Sequence, residues 1–119
     1  MKALIYDGEN LYPTEIENTL EDMQEIVGGW IEHVPMESLG SIDMWCNDEG
    51  KLINLDPTIA LTYKGKIYDV VCGNVVFLRH DGEGNSVGLT DDDLNFLEKK
   101  FNDDACLFTK FGIIQALEY

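Results

Sequence analysis

The sequence predicts a single α+β domain with a mostly antiparallel sheet, two main helices and one short helix. The chain has 119 residues, enough for one hydrophobic core and too few for two domains. Its content of 45% hydrophobic and 10% aromatic residues is typical of globular proteins. Short strand-like runs bounded by turn residues alternate with two segments of helical periodicity. We therefore expect residues 1–119 to form this one domain.

The first predicted elements are a strand, a short extended segment and a helix. Residues 3–6 form an apolar run, and a second extended segment is expected around residues 14–16. Asn18 and Glu21 have the spacing of a capping box, which favours a helix that ends at Gly28-Gly29. The apolar stripe of this helix consists of Leu20, Met23, Ile26 and Val27.

The middle of the chain is predicted to be an antiparallel meander followed by the short helix. Strand-like patterns cover residues 30–35, 42–47 and 51–55. Asp56-Pro57 has the chemistry of a helix start, so a short helix is expected over residues 58–63.

The last third is predicted to contain a central strand, the second main helix and a final strand. Residues 69–78 are the most apolar run, with Gly73 marking a bulge or a close backbone approach. Thr90 and Asp93 form a second capping box. Residues 106–117 are expected to be a strand, with a helix as the alternative. The inward-facing residues of the second helix are Leu94, Leu97 and Phe101.

The charge of the chain is strongly negative and unevenly distributed. Its net charge is −15, from 23 acidic and 8 basic residues. Residues 3–50 contain twelve acidic residues and no Lys or Arg. Such a field repels phosphate backbones and attracts basic partners, so we expect no direct contact with nucleic acid. An acidic surface that serves only solubility remains the alternative.

The cysteines and the N-terminus indicate a cytoplasmic protein. Cys46, Cys72 and Cys106 are odd in number and widely spaced, which favours neither a disulfide framework nor a zinc site. The apolar run at residues 3–6 is too short for a signal sequence or a membrane span. We expect no membrane association.

Catalytic and metal-binding patterns are weak. His33 and His80 lie far apart in sequence and have no triad or metal spacing. Nucleotide-binding and esterase motifs are missing. We therefore expect a protein that is not an enzyme, with no catalytic residues, metal or cofactor.

Two acidic segments resemble metal sites but have simpler explanations. Residues 81–86 have the oxygen spacing of a calcium loop, but Ser86 occupies its glycine position, so a hairpin turn is favoured. Residues 91–93 follow Thr90, where a helix N-terminus favours acids. Trp30 and Trp45 fit either a core or a binding surface, and we leave that choice open.

Three segments of the chain resemble a family of uncharacterised proteins from bacterial viruses and conjugative elements, domain-of-unknown-function family 3846. They are LEDMQEIVGGWIEHV at residues 20–34, NDEGKLINL at 47–55, and residues 70–93 around Gly73-Asn74-Val75-Val76. The resemblance covers most of residues 18–93 and excludes the segment from Asn102. It implies a mobile element in a bacterial cytoplasm. It carries over no catalytic residues.

The charge distribution and this genomic context lead to a hypothesis of DNA mimicry. The chain would inhibit a host defence system by binding a basic nuclease or another DNA-binding protein of the host. Successive carboxylates on the first helix would stand in for phosphates. The predicted acidic face consists of Glu17, Glu21, Asp22 and Glu25.

Two other hypotheses remain open. A small-molecule sponge would sequester a nucleotide signal of host defence, and its phosphates would need local cations. The basic residues available for it are Lys51, Lys64, Lys66 and Arg79. A homo-oligomer could assemble such a site between chains. The third hypothesis is an accessory protein that bridges replication partners.

Overall fold

The computed structural model describes residues 1–119 and contains ten strands, two α-helices and one 3-10 turn. The strands are β1 (Lys2–Tyr6), β2 (Leu11–Glu15), β3 (Ile31–Val34), β4 (Ile42–Asn47), β5 (Pro57–Tyr63), β6 (Lys66–Cys72), β7 (Val75–His80), β8 (Ser86–Val87), β9 (Cys106–Thr109) and β10 (Gly112–Glu118). The helices are α1 (Leu20–Val27) and α2 (Asp91–Asp104), and the 3-10 turn is Glu37–Leu39.

The first sheet has the strand order β2-β1-β7-β4-β3, with β8 paired to β7, and every pair in it is antiparallel. Its central strands β1 and β7 are buried on both faces, so their sequences are continuous apolar runs. Successive side chains still alternate between faces: Ile5 and Val76 lie towards α1, whereas Leu4 and Phe77 lie in the main core.

The second sheet has the order β6-β5-β10-β9 and packs against the main-core face of the first. Strands β5 and β10 are parallel, and the other pairs are antiparallel. Ile59, Leu61 and Leu117 from this sheet join Phe77 in the main core. The architecture therefore agrees with a mostly antiparallel α+β fold, but its strands are divided between two sheets.

The two helices cover different parts of this structure. Met23 and Val27 of α1 pack on the outer face of the first sheet in a small second core. Leu97 and Phe101 of α2 belong to the main core, where the Phe101 ring lies 5.0 Å from Tyr6 and 5.9 Å from Phe77. Thr90 and Asp93 form the predicted capping box of α2.

The short helix predicted over residues 58–63 is wrong, because this segment is strand β5. It lies between β6 and β10, and residues 58–62 are all buried. Pro57 is the first residue of the strand, a position that proline also accepts. Tertiary packing of an apolar, partly β-branched run thus outweighs the local signal of a helix start.

The strand predicted over residues 51–55 is also wrong. These residues form consecutive turns, with Ile53 N donating to Glu49 O at 3.0 Å and Leu55 N to Gly50 O at 2.9 Å. Gly50 permits this path, since a Cβ there would lie 2.8 Å from the Cys72 carbonyl oxygen. Strand β4 instead pairs with β3 and β7.

The single strand predicted over residues 69–78 is two strands, β6 and β7, that belong to different sheets. Gly73 turns the chain between them with a φ of 85°, and a Cβ there would lie 2.7 Å from Leu55 Cδ1. The expected close approach at Gly73 is therefore correct, whereas the expected bulge within one strand is not. Residues 106–117 are likewise divided into β9 and β10 by a turn at Lys110 and Phe111.

Candidate functional site

The first helix presents a line of carboxylates that have no partner. Glu21 and Glu25 lie one helical turn apart on the exposed side of α1, and neither side chain makes a hydrogen bond or an ion pair. The last turn of α1 contains no basic residue, so Glu25 lies at the negative end of the helix dipole. Repulsion from Glu21 and the negative end of the helix dipole both disfavour a carboxylate at Glu25. No Lys or Arg contacts Glu25 to offset these two effects.

The other two residues of the predicted acidic face have different roles. Glu17 is exposed but precedes the helix, because the N-cap is Thr19 and not the predicted Asn18. Thr19 Oγ1 accepts from Asp22 N at 3.2 Å, and Asp22 Oδ2 accepts from Glu17 N at 2.7 Å. Asp22 therefore anchors the start of α1 and is a structural residue, whereas Glu17, Glu21 and Glu25 are free.

The carboxylate line continues past the C-terminal end of α1. Asn47 Nδ2 donates to Val27 O at 3.1 Å, and Asp48 N donates to Trp30 O at 3.0 Å. These bonds place the exposed Asp48 and Glu49 beside the helix end. We call the set Glu17, Glu21, Glu25, Asp48 and Glu49 the acidic surface.

Trp30 is the aromatic residue of this region. Its side chain is 65% exposed, whereas Trp45 packs against the second core. The choice that the sequence left open is thus resolved, with Trp45 in the core and Trp30 at the surface. An exposed Trp beside unpaired acids has the composition of a protein-binding surface, because Trp is enriched among residues that dominate binding energy.

No Lys or Arg pairs with the acids of residues 3–50, and the N-terminal ammonium lies 3.5 Å from one of them, Glu15. Five of the eight basic residues form ion pairs, and all their acidic partners lie between residues 69 and 104. The pairs are Lys2–Asp91, Lys51–Asp69, Arg79–Asp93, Lys99–Asp103 and Lys100–Asp104. None of the twelve acids in residues 3–50 has a Lys or Arg partner. The imbalance seen in the sequence is therefore preserved in three dimensions.

The cations of the alternative ligand site do not converge. Arg79 binds Asp93 through two hydrogen bonds of 2.7 and 2.8 Å, and Lys51 contacts Asp69. Lys64 and Lys66 lie at the β5–β6 turn of the second sheet, whereas Arg79 is in β7 of the first. The structure therefore offers no shared phosphate-binding pocket made from these four residues.

The two histidines, distant in sequence, meet on the first sheet. His33 Nε2 lies 3.3 Å and His80 Nδ1 3.0 Å from the same oxygen of Asp43. The His33 ring also lies 5.0 Å from the Trp45 ring. Strand order brings β3, β4 and β7 together, which sequence spacing could not indicate. Both imidazoles contact one carboxylate oxygen, and the chain has no cluster of three or more side chains placed to hold a metal ion.

The segment that resembled a calcium loop is a turn. The Asp81 carboxylate accepts from Glu83 N at 2.8 Å and from Asn85 N at 2.9 Å. These backbone donors hold the pKa of Asp81 below its usual value. The carboxylate is occupied in closing the loop between β7 and β8.

The comparison with protein families gives one match. The model of the domain-of-unknown-function family DUF3846 matches residues 1–102 of the 119-residue chain. The chain belongs to this family. No curated protein and no solved structure matches it. The DUF3846 match is longer than the three resembling segments and includes β1, β2 and most of α2, while β9 and β10 lie beyond it.

Two clefts flank the main core of this DUF3846 protein. One, of about 580 Å³, lies between β1–β2, α2 and the β9–β10 hairpin, and Glu9, Glu98 and Cys106 line it. The other, of about 470 Å³, lies between β3–β4 and β6, and Lys51 and Asp69 line it. Neither helix has the length and apolar character to cross a bilayer.

Proposed function

We propose that this DUF3846 protein inhibits a basic nucleic-acid-binding protein, such as a nuclease of host defence, by occupying its nucleic-acid groove with the acidic surface. The observation that carries the proposal is that no acid between residues 3 and 50 is neutralised by Lys or Arg. The acidic surface would therefore present to a basic groove an electrostatic potential of the same sign as that of DNA.

The geometry of α1 supports this mode of binding. Glu21 and Glu25 are fixed on one rigid helix that Met23 and Val27 anchor to the sheet. The backbone that carries these charges is already ordered, so partner binding has to restrict only the two Glu side chains. Trp30 adds an exposed apolar contact beside the charges.

The alternative of a nucleotide sponge has less support. A phosphate needs converging donors and cations, and Arg79 and Lys51 are already engaged by carboxylates. Both clefts are lined by acids, Glu9 and Glu98 in one and Glu32, Asp48 and Asp69 in the other. These carboxylates disfavour an anionic ligand in either cleft.

The test is affinity capture from bacterial lysate at low salt, followed by elution with duplex DNA. We expect the wild-type chain to retain basic proteins that the added DNA displaces. The triple variant Glu17→Lys, Glu21→Lys, Glu25→Lys should lose them. Asp22 stays unchanged because its carboxylate accepts from Glu17 N and anchors the start of α1.

The matched control reverses three exposed acids outside the acidic surface, Asp56, Glu83 and Glu98, which gives the same change in net charge. Retention by the control and loss by the α1 variant would support the proposal. Equal retention by both variants, or bound proteins that DNA does not displace, would refute it. A co-purified nucleotide without a protein partner would favour the sponge.

A further inference from the structure

The larger of the two clefts, between β1–β2, α2 and the β9–β10 hairpin, is a concave site that the proposed function does not use. Its volume of about 580 Å³ lies within the range of small-molecule sites, about 300–1,000 Å³. Leu4, Tyr6 and Phe101 in this cleft belong to the main core, whereas α1 packs on the opposite face of the first sheet. The cleft is therefore separate from the acidic surface.

The floor of the cleft is apolar. Leu4, Tyr6 and Phe101 are buried there, and Leu94 of α2 packs beside them. Ile113 of β10 also lines the cleft and is 70% exposed. An isoleucine this exposed leaves apolar area that a bound molecule would remove from water. The cleft therefore favours a ligand with an apolar body.

Two unpaired carboxylates lie at the mouth of the cleft. Glu9 and Glu98 are exposed lining residues, and neither side chain forms an ion pair. The lining contains no Lys, Arg or His. Because no cation offsets these carboxylates, their field favours a positively charged ligand over a neutral or an anionic one.

The backbone that carries both carboxylates is ordered. Asp7 Oδ1 accepts from Glu9 N at 2.9 Å and from Asn10 N at 2.7 Å, which closes the turn between β1 and β2. Glu98 lies in α2, directly after the buried Leu97. A ligand therefore has to restrict only the two Glu side chains when it binds, and the loops need no rearrangement.

A buried acceptor in the cleft lacks a strong donor. Gln115 is only 8% exposed, and its Nε2 lies 2.8, 2.8 and 2.9 Å from the backbone oxygens of Phe101, Ala105 and Ala116. These oxygens can only accept, so the amide nitrogen faces them and Oε1 faces away. The one donor near Oε1 is the Cys106 thiol, a weak donor at 4.0 Å, and both residues line the cleft. Buried polar atoms normally have a good partner, so this oxygen favours a ligand with an N–H group.

We propose that this cleft binds a small organic ammonium cation with an apolar ring body. The carboxylates of Glu9 and Glu98 attract its charge, and its N–H groups donate to these carboxylates and to Gln115 Oε1. The ring body covers Ile113 and the buried floor. A polyamine has the charge but no apolar body to fill the cleft. The inference is independent of the proposed function.

The first test is calorimetric titration of the full chain with tryptamine at about 0.15 M NaCl. We expect one site per chain with submillimolar affinity. Two related compounds test the charge and the N–H donors separately. Tryptophol has a hydroxyl in place of the ammonium group, and N,N,N-trimethyltryptammonium keeps the charge but has no ammonium N–H. Each should bind at least tenfold more weakly than tryptamine, because each loses charge-assisted hydrogen bonds.

A pair of double variants separates this cleft from the general attraction of cations to a chain of net charge −15. Glu9→Gln combined with Glu98→Gln should weaken tryptamine binding at least tenfold. The matched control is Glu21→Gln combined with Glu25→Gln, which removes the same charge from the exposed side of α1 and should leave tryptamine binding unchanged. All four side chains are exposed, so both variants should fold.

The second test is mapping of amide chemical shifts by NMR, which also shows whether each variant is folded. Tryptamine should shift the amides of Glu98, Ile113 and Gln115 and leave those of α1 in place. No binding up to millimolar tryptamine, or shifts centred on α1, would overturn the proposal. Equal affinity of the two double variants, or binding of either related compound as tight as that of tryptamine, would overturn it as well.

Discussion

Substitution Glu25→Lys should stabilise the protein while it weakens partner binding. In the wild type, Glu25 repels Glu21 one turn earlier and lies in the last turn of α1, at the negative end of the dipole. Lysine converts the pair from repulsive to attractive, a change of about 0.4–1 kcal/mol. Its favourable interaction with the helix end adds about 0.3–0.5 kcal/mol. The expected gain in the free energy of unfolding is therefore about 1 kcal/mol.

The gain should be visible in thermal unfolding followed by circular dichroism. At about 2.1 cal/mol/K per residue, the 119-residue chain has an unfolding entropy of about 250 cal/mol/K, so 1 kcal/mol raises Tm by about 4 °C. The control variant is Glu21→Lys, which makes the same change in net charge and also creates an attractive pair with Glu25. It places a cation at the positive end of the helix dipole, so its Tm should stay near that of the wild type. An equal rise for both variants, or a rise for Glu25→Lys that persists in 1 M NaCl, would refute this reasoning.

Three further predictions concern individual side chains. The Arg79 guanidinium lowers the pKa of Asp93 to about 2, so Asp93→Asn should cost about 2 kcal/mol of stability at pH 7. In urea unfolding, the difference in stability between this variant and the wild type should vanish as the pH falls from about 4 to about 2. Burial, with further contributions from nearby carboxylates, raises the pKa of Cys46 to about 12. At pH 8 a thiol reagent should therefore modify the exposed Cys106 and react with Cys46 only after unfolding. Labelling of Cys46 in the folded protein would contradict its burial. Trp30→Ala should reduce partner affinity at least tenfold with Tm unchanged, and a drop in Tm would show that Trp30 supports the fold.

The elements that sequence reasoning identified correctly carry their signal locally. The capping box at Thr90 and Asp93 and the left-handed Gly28 that ends α1 depend on neighbouring residues alone. Strand β4 was recognised from its alternation, and its bounds are those predicted. These local patterns are sufficient to predict the fold class, a mostly antiparallel α+β fold.

The errors arose where the partner strand decides the conformation. Residues 58–62 have an apolar content that fits a buried helix or a buried strand, and only the position of β5 between β6 and β10 selects the strand. The apolar run over residues 69–78 gives no sign that the chain passes from the second sheet to the first, because both halves of the run are hydrophobic and Gly73 alone marks the turn. Sequence periodicity contains no information on which sheet a strand joins.

The acidic surface could be predicted in part. The base-free segment and the carboxylates of α1 were evident from the sequence, but the structural role of Asp22 depends on Thr19 as the N-cap, one residue from the expected position. Asp48 and Glu49 were missed because hydrogen bonds between distant segments place them beside Trp30. Likewise, only strand order brings His33 and His80 to Asp43.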